Sequence, residues 1–279
     1  MAFLFMNHGD KHLDHLAVAI YRLRFLYPEH YPIRIASTPC DTNTANILHA
    51  IARDGHCEVV DWTPDYNGKN AGYVMKTHMF DLTRDWPRTL FMDADTLTVG
   101  DLHPLIHADT QKVHVTQFCQ WTTFGRIISK RIKEWADASP HEVARALQTE
   151  YPAINTGVLA WSDCHKDWHD RWRSLTYQNI RFICDEIACQ LMFMEGDCCV
   201  VQSDRYNASV QYSSRSENDV AIWHGHGRKF FRKDAGWRIW SPYYRAALAD
   251  NFADLDRWSP INPKLRNRLN AVATAEASL

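Results

Sequence analysis

A chain of 279 residues, 46% of them apolar, is long enough to bury a substantial core as one large α/β domain or two small ones. The ordinary charged fraction of 23% excludes a disordered or fibrous protein. A net charge of −2 excludes a strong long-range pull toward nucleic acid or an anionic membrane.

In chain order, residues 2–6 read as a short apolar strand. Leu13, Leu16, Ala17, Ile20, Leu23 and Tyr27 then recur at helical spacing, and Pro28 and Pro32 end that element. A second strand is expected at 33–36, a helix from about 42 to 53, and a third strand at 57–61. A loop with Pro64, Gly68 and Gly72 leads to a helix near 73–83. Thr89-Leu90-Phe91-Met92 follows, an apolar run of the kind that forms a central parallel strand. Beyond residue 110 the pattern loosens. Strands are expected at 113–116, 158–161 and 220–223, a helix over 127–150 with a break at Pro140, and an amphipathic helix over 185–195. This alternation predicts a mostly parallel, doubly wound sheet flanked by helices. With no repeat or linker, the chain is expected to form a single domain over 1–279. No stretch approaches the length of a membrane span, and the apolar start is cut off by Asn7-His8-Gly9-Asp10-Lys11-His12. The eight cysteines form no Cys-x-x-Cys pair, so a reducing, cytoplasmic location is expected.

Four segments carry chemistry. In Phe91-Met92-Asp93-Ala94-Asp95-Thr96-Leu97 two carboxylates, one residue apart, stand where a buried strand runs out, the place where open α/β sheets bind ligands. Their like charges repel unless a cation intervenes, and hard oxygen ligands suit Mg²⁺ or Mn²⁺ bridging a substrate diphosphate. In Ile222-Trp223-His224-Gly225-His226-Gly227-Arg228-Lys229 a strand-end imidazole can join the same cation. Gly227 allows close backbone approach there, and Arg228 and Lys229 can neutralise phosphate. Asn155-Thr156-Gly157 places an amide and a hydroxyl in a turn before an apolar strand, suited to sugar hydroxyls or to the turn itself. Asp185 and Glu186 open a helix, which is also ordinary first-turn chemistry. Haloacid-dehalogenase phosphatases share an Asp-x-Asp pair, but there the pair follows the first strand and a Thr stands two residues beyond the second Asp. Here Thr96 follows Asp95 directly, and about three strands come first.

These segments, in this order from about residue 73 to 230, resemble glycosyltransferase family 8, the glycogenin and lipopolysaccharide galactosyltransferase group, with its GT-A fold. Lys76 and the Asp93–Asp95 strand look like the family's basic residue and metal-binding strand. Asn155-Thr156-Gly157 looks like its Asn-(Ala/Ser)-Gly turn, Asp185 like the Asp of its Asp-Gln pair, and His224 with Gly227 and Lys229 like its last motif. Glu186 stands where Gln is usual, and Phe230 replaces a Pro.

The resemblance implies a nucleotide-binding half (about 1–110), a sugar and acceptor half (about 111–240) and a C-terminal helical tail (241–279). Asp93, Asp95 and His224 would hold Mn²⁺ or Mg²⁺. Lys76, Ala94, Thr156, Gly157, Gly227, Arg228 and Lys229 would line the nucleotide-sugar donor, a UDP-sugar. Asn155 and Asp185 would orient the sugar for transfer with retention. The acceptor classes open are a glycan or lipid-linked glycan, a protein side chain, and a modified DNA base. The last would use the ten Lys or Arg against five Asp or Glu from residue 220 onward and the many Trp of the second half. Other readings are a non-catalytic nucleotide-sugar-binding scaffold, a phosphatase and a nucleotidyltransferase.

Overall fold

A computed structural model describes residues 1–28, 31–63, 65–119, 151–196, 199–227, 229–259 and 263–276. The expected helix over 127–150, Trp121 and Arg228 lie outside the described residues. Among the described residues ten strands run in chain order: β1 Ala2–Asn7, β2 Ile33–Ser37, β3 Cys57–Asp61, β4 Arg88–Asp93, β5 Thr96–Thr98, β6 Val113–Gln117, β7 Ile154–Ser162, β8 Cys199–Gln202, β9 Ala208–Ser209 and β10 Ile222–His224. Seven form the main sheet in the order β3-β2-β1-β4-β7-β6-β8, and three form a small sheet in the order β5-β10-β9. β1 to β4 are mutually parallel, β7 runs antiparallel to both β4 and β6, and β8 returns parallel to β6.

Side-chain alternation sorts the central strands onto two faces. Phe3, Leu90 and Ala160 lie in one cross-strand row, and Phe5, Met92 and Val158 in another. Both rows join a core with α1 (Leu13–Leu26), α2 (Thr42–Gly55) and the helix Asp234–Ala249. The intervening row, Leu4, Phe91 and Leu159, faces the opposite core with Trp161, Trp168 and Trp172. Residues of β1, β4 and β7 are buried almost throughout, as strands covered on both sides must be, whereas edge strands β3 and β8 are partly exposed.

Local chemistry sets the helix ends. Asp41 accepts from the Thr44 N–H at 2.9 Å to start α2, and His56 closes it in the left-handed region. The helix expected near 73–83 breaks in two, α3 (Ala71–Lys76) and a 3₁₀ turn Met79–Leu82. The Thr77 hydroxyl donates to the Val74 carbonyl at 2.7 Å at this break. Trp161, Trp168, Trp172, Trp237 and Trp240 are all buried, so these five serve packing rather than ligand stacking.

Candidate metal and nucleotide-sugar site

β4 carries the apolar run Leu90-Phe91-Met92 just before its last residue, Asp93. The chain then turns through Ala94 and Asp95 into β5, which pairs antiparallel with β10 so that Thr96 lies opposite His224. Gly225 N–H donates to the Asp95 carbonyl at 2.8 Å, and Gly227 N–H, 132 residues from Asp95, donates to its Oδ2. Three strand ends thus bring Asp93, Asp95 and His224 together, with one ligand atom from each within 4.8 Å of the others. His224 Nε2 lies 3.2 Å from Asp95 Oδ1 and 3.7 Å from Asp93 Oδ2. The three residues stand at one wall of a cleft of about 840 Å³ that Lys76, Asn155, Glu186 and Lys229 also line.

The electrostatics of this floor are strongly coupled. Lys76 Nζ is 2.7 Å from Asp93 Oδ2 and 3.7 Å from Asp185 Oδ2. Burial opposes its charge, but Asp93 and Asp185 outweigh burial and lift the ammonium above its usual pKa. Burial would raise the Asp95 carboxyl. The His224 ring beside it prevails and holds it well below the usual carboxylate range. For Asp185, fully buried, burial wins over Lys76 and the Thr156 hydroxyl bond at 2.6 Å, and its pKa is raised.

One buried and one half-buried carboxylate facing one imidazole are a donor set with more acceptor lone pairs than protons, a balance that a divalent cation restores. The oxygen-rich set with a single nitrogen fits Mn²⁺ or Mg²⁺. Among the described residues it is the one such grouping of three.

No protein-family model matches the sequence, and no curated protein matches it. Solved structures do. A galactosyltransferase, LgtC, crystallised with donor and acceptor sugar analogues, superposes with a TM-score of 0.62 at 15% identity over 88% of this chain and 96% of its own. The glycosyltransferase GlyE of Streptococcus pneumoniae gives 0.56 at 13% identity over 90% and 64%. Mouse xyloside xylosyltransferase 1 gives 0.54 at 14% identity over 81% and 97%. The chain has the GT-A fold.

On this GT-A scaffold the expected site residues fall into three groups. Lys76, Asp93, Ala94, Asp95, Asn155, His224, Gly227 and Lys229 border the cleft. Thr156 and Asp185 are fully buried behind it, and the wall in front of Asp185 is made by Ile183 and Glu186. Asn155-Thr156-Gly157, expected as a turn before a strand, lies inside β7. Gly157 has to be glycine because an added Cβ would collide with the His224 ring and lie 2.7 Å from Asn155 Oδ1. Arg228 is outside the described residues.

Sequence reading missed Asn207, Tyr212 and Phe118. Asn207 is fully buried, with its amide 2.7 Å from His224 Nδ1. Phe118 and Tyr212 line the cleft with ring centroids 5.8 Å apart, and Lys229 Nζ sits 4.8 Å over the Tyr212 ring. None of these stands in a motif. A polar residue beside a two-residue strand, and two aromatics almost a hundred positions apart, give no local pattern.

Proposed function

We propose that this chain is a metal-dependent glycosyltransferase that moves a sugar from a nucleotide-diphosphate sugar, a UDP-sugar, to a hydroxyl of a glycan or lipid-linked glycan. The observation that carries this reading is the convergence of Asp93, Asp95 and His224 at the wall of an 840 Å³ cleft in a GT-A fold. The GT-A fold also leaves the phosphatase reading without its scaffold.

Bound at Asp93, Asp95 and His224, Mn²⁺ or Mg²⁺ would supply Lewis-acid stabilisation of the leaving diphosphate. The protein's own groups do the rest. Lys76 and Lys229 add positive charge to the cleft where negative charge develops. Asn155 Nδ2 donates to Glu186 Oε1 at 2.6 Å, and its second N–H can orient a sugar hydroxyl. Glu186 lines the cleft as an acceptor for a further hydroxyl. Retention is assigned to front-face attack. The bond from the anomeric carbon to the diphosphate breaks, the acceptor oxygen bonds to the same face, and its proton passes to the departing oxygen. The Phe118–Tyr212 pair supports a ring-shaped acceptor. Arg268, a basic residue of the tail, is engaged internally with Asp234 at 2.8 Å and the Phe231 carbonyl, which weakens the DNA-acceptor reading. No helix among the described residues is long and apolar enough to cross a membrane. A cytoplasmic location belongs to this reading, supported by the unbridged buried thiols of Cys184 and Cys189.

The test is release of nucleoside diphosphate from a panel of nucleotide sugars with Mn²⁺, without acceptor. Turnover of one donor that disappears in Asp95→Ala is expected. No release from any donor, together with no Mn²⁺ binding, sinks the reading. The preferred donor then goes to glycans, proteins and DNA in parallel, and transfer to DNA alone would reverse the acceptor assignment.

A further inference from the structure

Asn207 follows a 3₁₀ turn, Asp204–Tyr206, and precedes β9. Its side chain is fully buried and makes three contacts of 2.7 Å each: Oδ1 with His224 Nδ1, and Nδ2 with Asn155 Oδ1 and with Thr116 Oγ1.

The direction of these bonds is fixed from the far end. A backbone N–H can only donate, and Gly157 N–H donates to Asn155 Oδ1 at 2.8 Å. Asn155 Oδ1 is therefore an acceptor, and the Asn207 atom beside it has to be the amide nitrogen. The reverse orientation would set two carbonyl oxygens against each other inside the protein, with no donor between them. Asn207 Oδ1 consequently faces His224, and only an N–H at Nδ1 satisfies it. Nε2 is left as the nitrogen that faces Asp93 and Asp95.

We infer that Asn207 is a positioning residue that holds a proton on His224 Nδ1 and thereby keeps Nε2 as a ready metal ligand. A single backbone N–H, at Gly157, sets the order of the whole relay through Asn155 and Asn207 to the imidazole. Outer hydrogen bonds of this kind orient metal-ligating histidines and raise their basicity. The inference rests on the metal site proposed above.

The test uses the full chain. In the metal-free protein, ¹⁵N NMR of the His224 ring, identified by subtraction with His224→Gln, is expected to show a proton on Nδ1. A bare Nδ1 overturns the inference whatever the variants do. Mn²⁺ affinity, read from the EPR signal of the unbound ion, is expected to fall about 10–100-fold in Asn207→Leu. Asn207→Asp keeps an acceptor for Nδ1–H but sets a second oxygen against Asn155 Oδ1, so it is expected to retain the Nδ1 proton while lowering the melting temperature. Thermal melts separate the affinity loss from unfolding, and Asn207→Ser replaces the Leu variant if that one does not fold. Wild-type affinity in a folded Asn207→Leu or Asn207→Ser protein overturns the inference while leaving the metal site standing. No Mn²⁺ binding in the wild type removes the metal site itself.

Discussion

At Gly157 the space for a single methyl group decides how the site is built. The His224 ring rests against the β7 backbone there, so any side chain displaces the imidazole, the Asn155 amide, or both. Gly157→Ala is expected to cost about 1–3 kcal/mol in urea unfolding, the range of overpacked cores. It should weaken Mn²⁺ binding as well, although residue 157 itself supplies no metal ligand; unchanged affinity would show that the ring has room to spare. The sequence flagged this glycine for a different reason, as part of a sugar-binding turn. Asp93, Asp95 and His224 were legible because each stands at the end of an apolar run, where a polar residue has to explain itself. Asn207 was illegible because its partners, Thr116, Asn155 and His224, come from distant parts of the chain.

Among the elements, β5 and β10 do most to assemble the site, and both are three residues long. β5 escapes periodicity analysis because three residues hold barely one alternation. Its pairing with β10 nevertheless delivers His224 to the Asp pair, anchored by Leu97, which is fully buried. Leu97→Ala and Ile51→Ala, the latter in the core of α2, should each cost about 2–5 kcal/mol. Only Leu97→Ala should also lower Mn²⁺ affinity measurably. Equal affinity in the two variants would mean that the aspartates and His224 are held without the small sheet. β7 makes the complementary point. Its apolar stretch was visible, but its antiparallel direction was not, because both strand directions bury the same residue types when both faces are covered.

Across the whole molecule, burial lowers the pKa of several imidazoles. His169 is fully buried, stacked on Phe80 at 4.6 Å and edge-on to Trp161 at 4.9 Å, and burial holds its pKa well below the usual 6.5. The unfolded chain binds this proton near 6.5 and the folded chain only at far lower pH. The stability that depends on a neutral His169 is thus complete above 6.5 and declines as pH falls through it, by about 1.4 kcal/mol per unit. Burial likewise lowers His78, His114 and His165, which adds slope of the same sign. Urea unfolding at about pH 7 and about pH 5 should show the loss, and His169→Phe should shrink it. An identical pH slope in that variant would mean His169 is not the group responsible.

The sequence by itself determined the α/β class, the buried central strands and the two carboxylates at the end of β4, because hydrophobic period and strand-end polarity are local properties that burial enforces. It also marked His224 as a partner for those carboxylates, whereas Lys76, marked by the family resemblance as a donor-lining residue, is shown to pair with Asp93 only by the structure. Tertiary structure alone decided that Asp185 lies behind the cleft with Glu186 in front, that α3 stops at Lys76, and that Asn207 orders the imidazole. Those outcomes depend on which strand pairs with which and on the direction each hydrogen bond takes. Pairing and direction are settled by contacts between residues that the chain order keeps far apart.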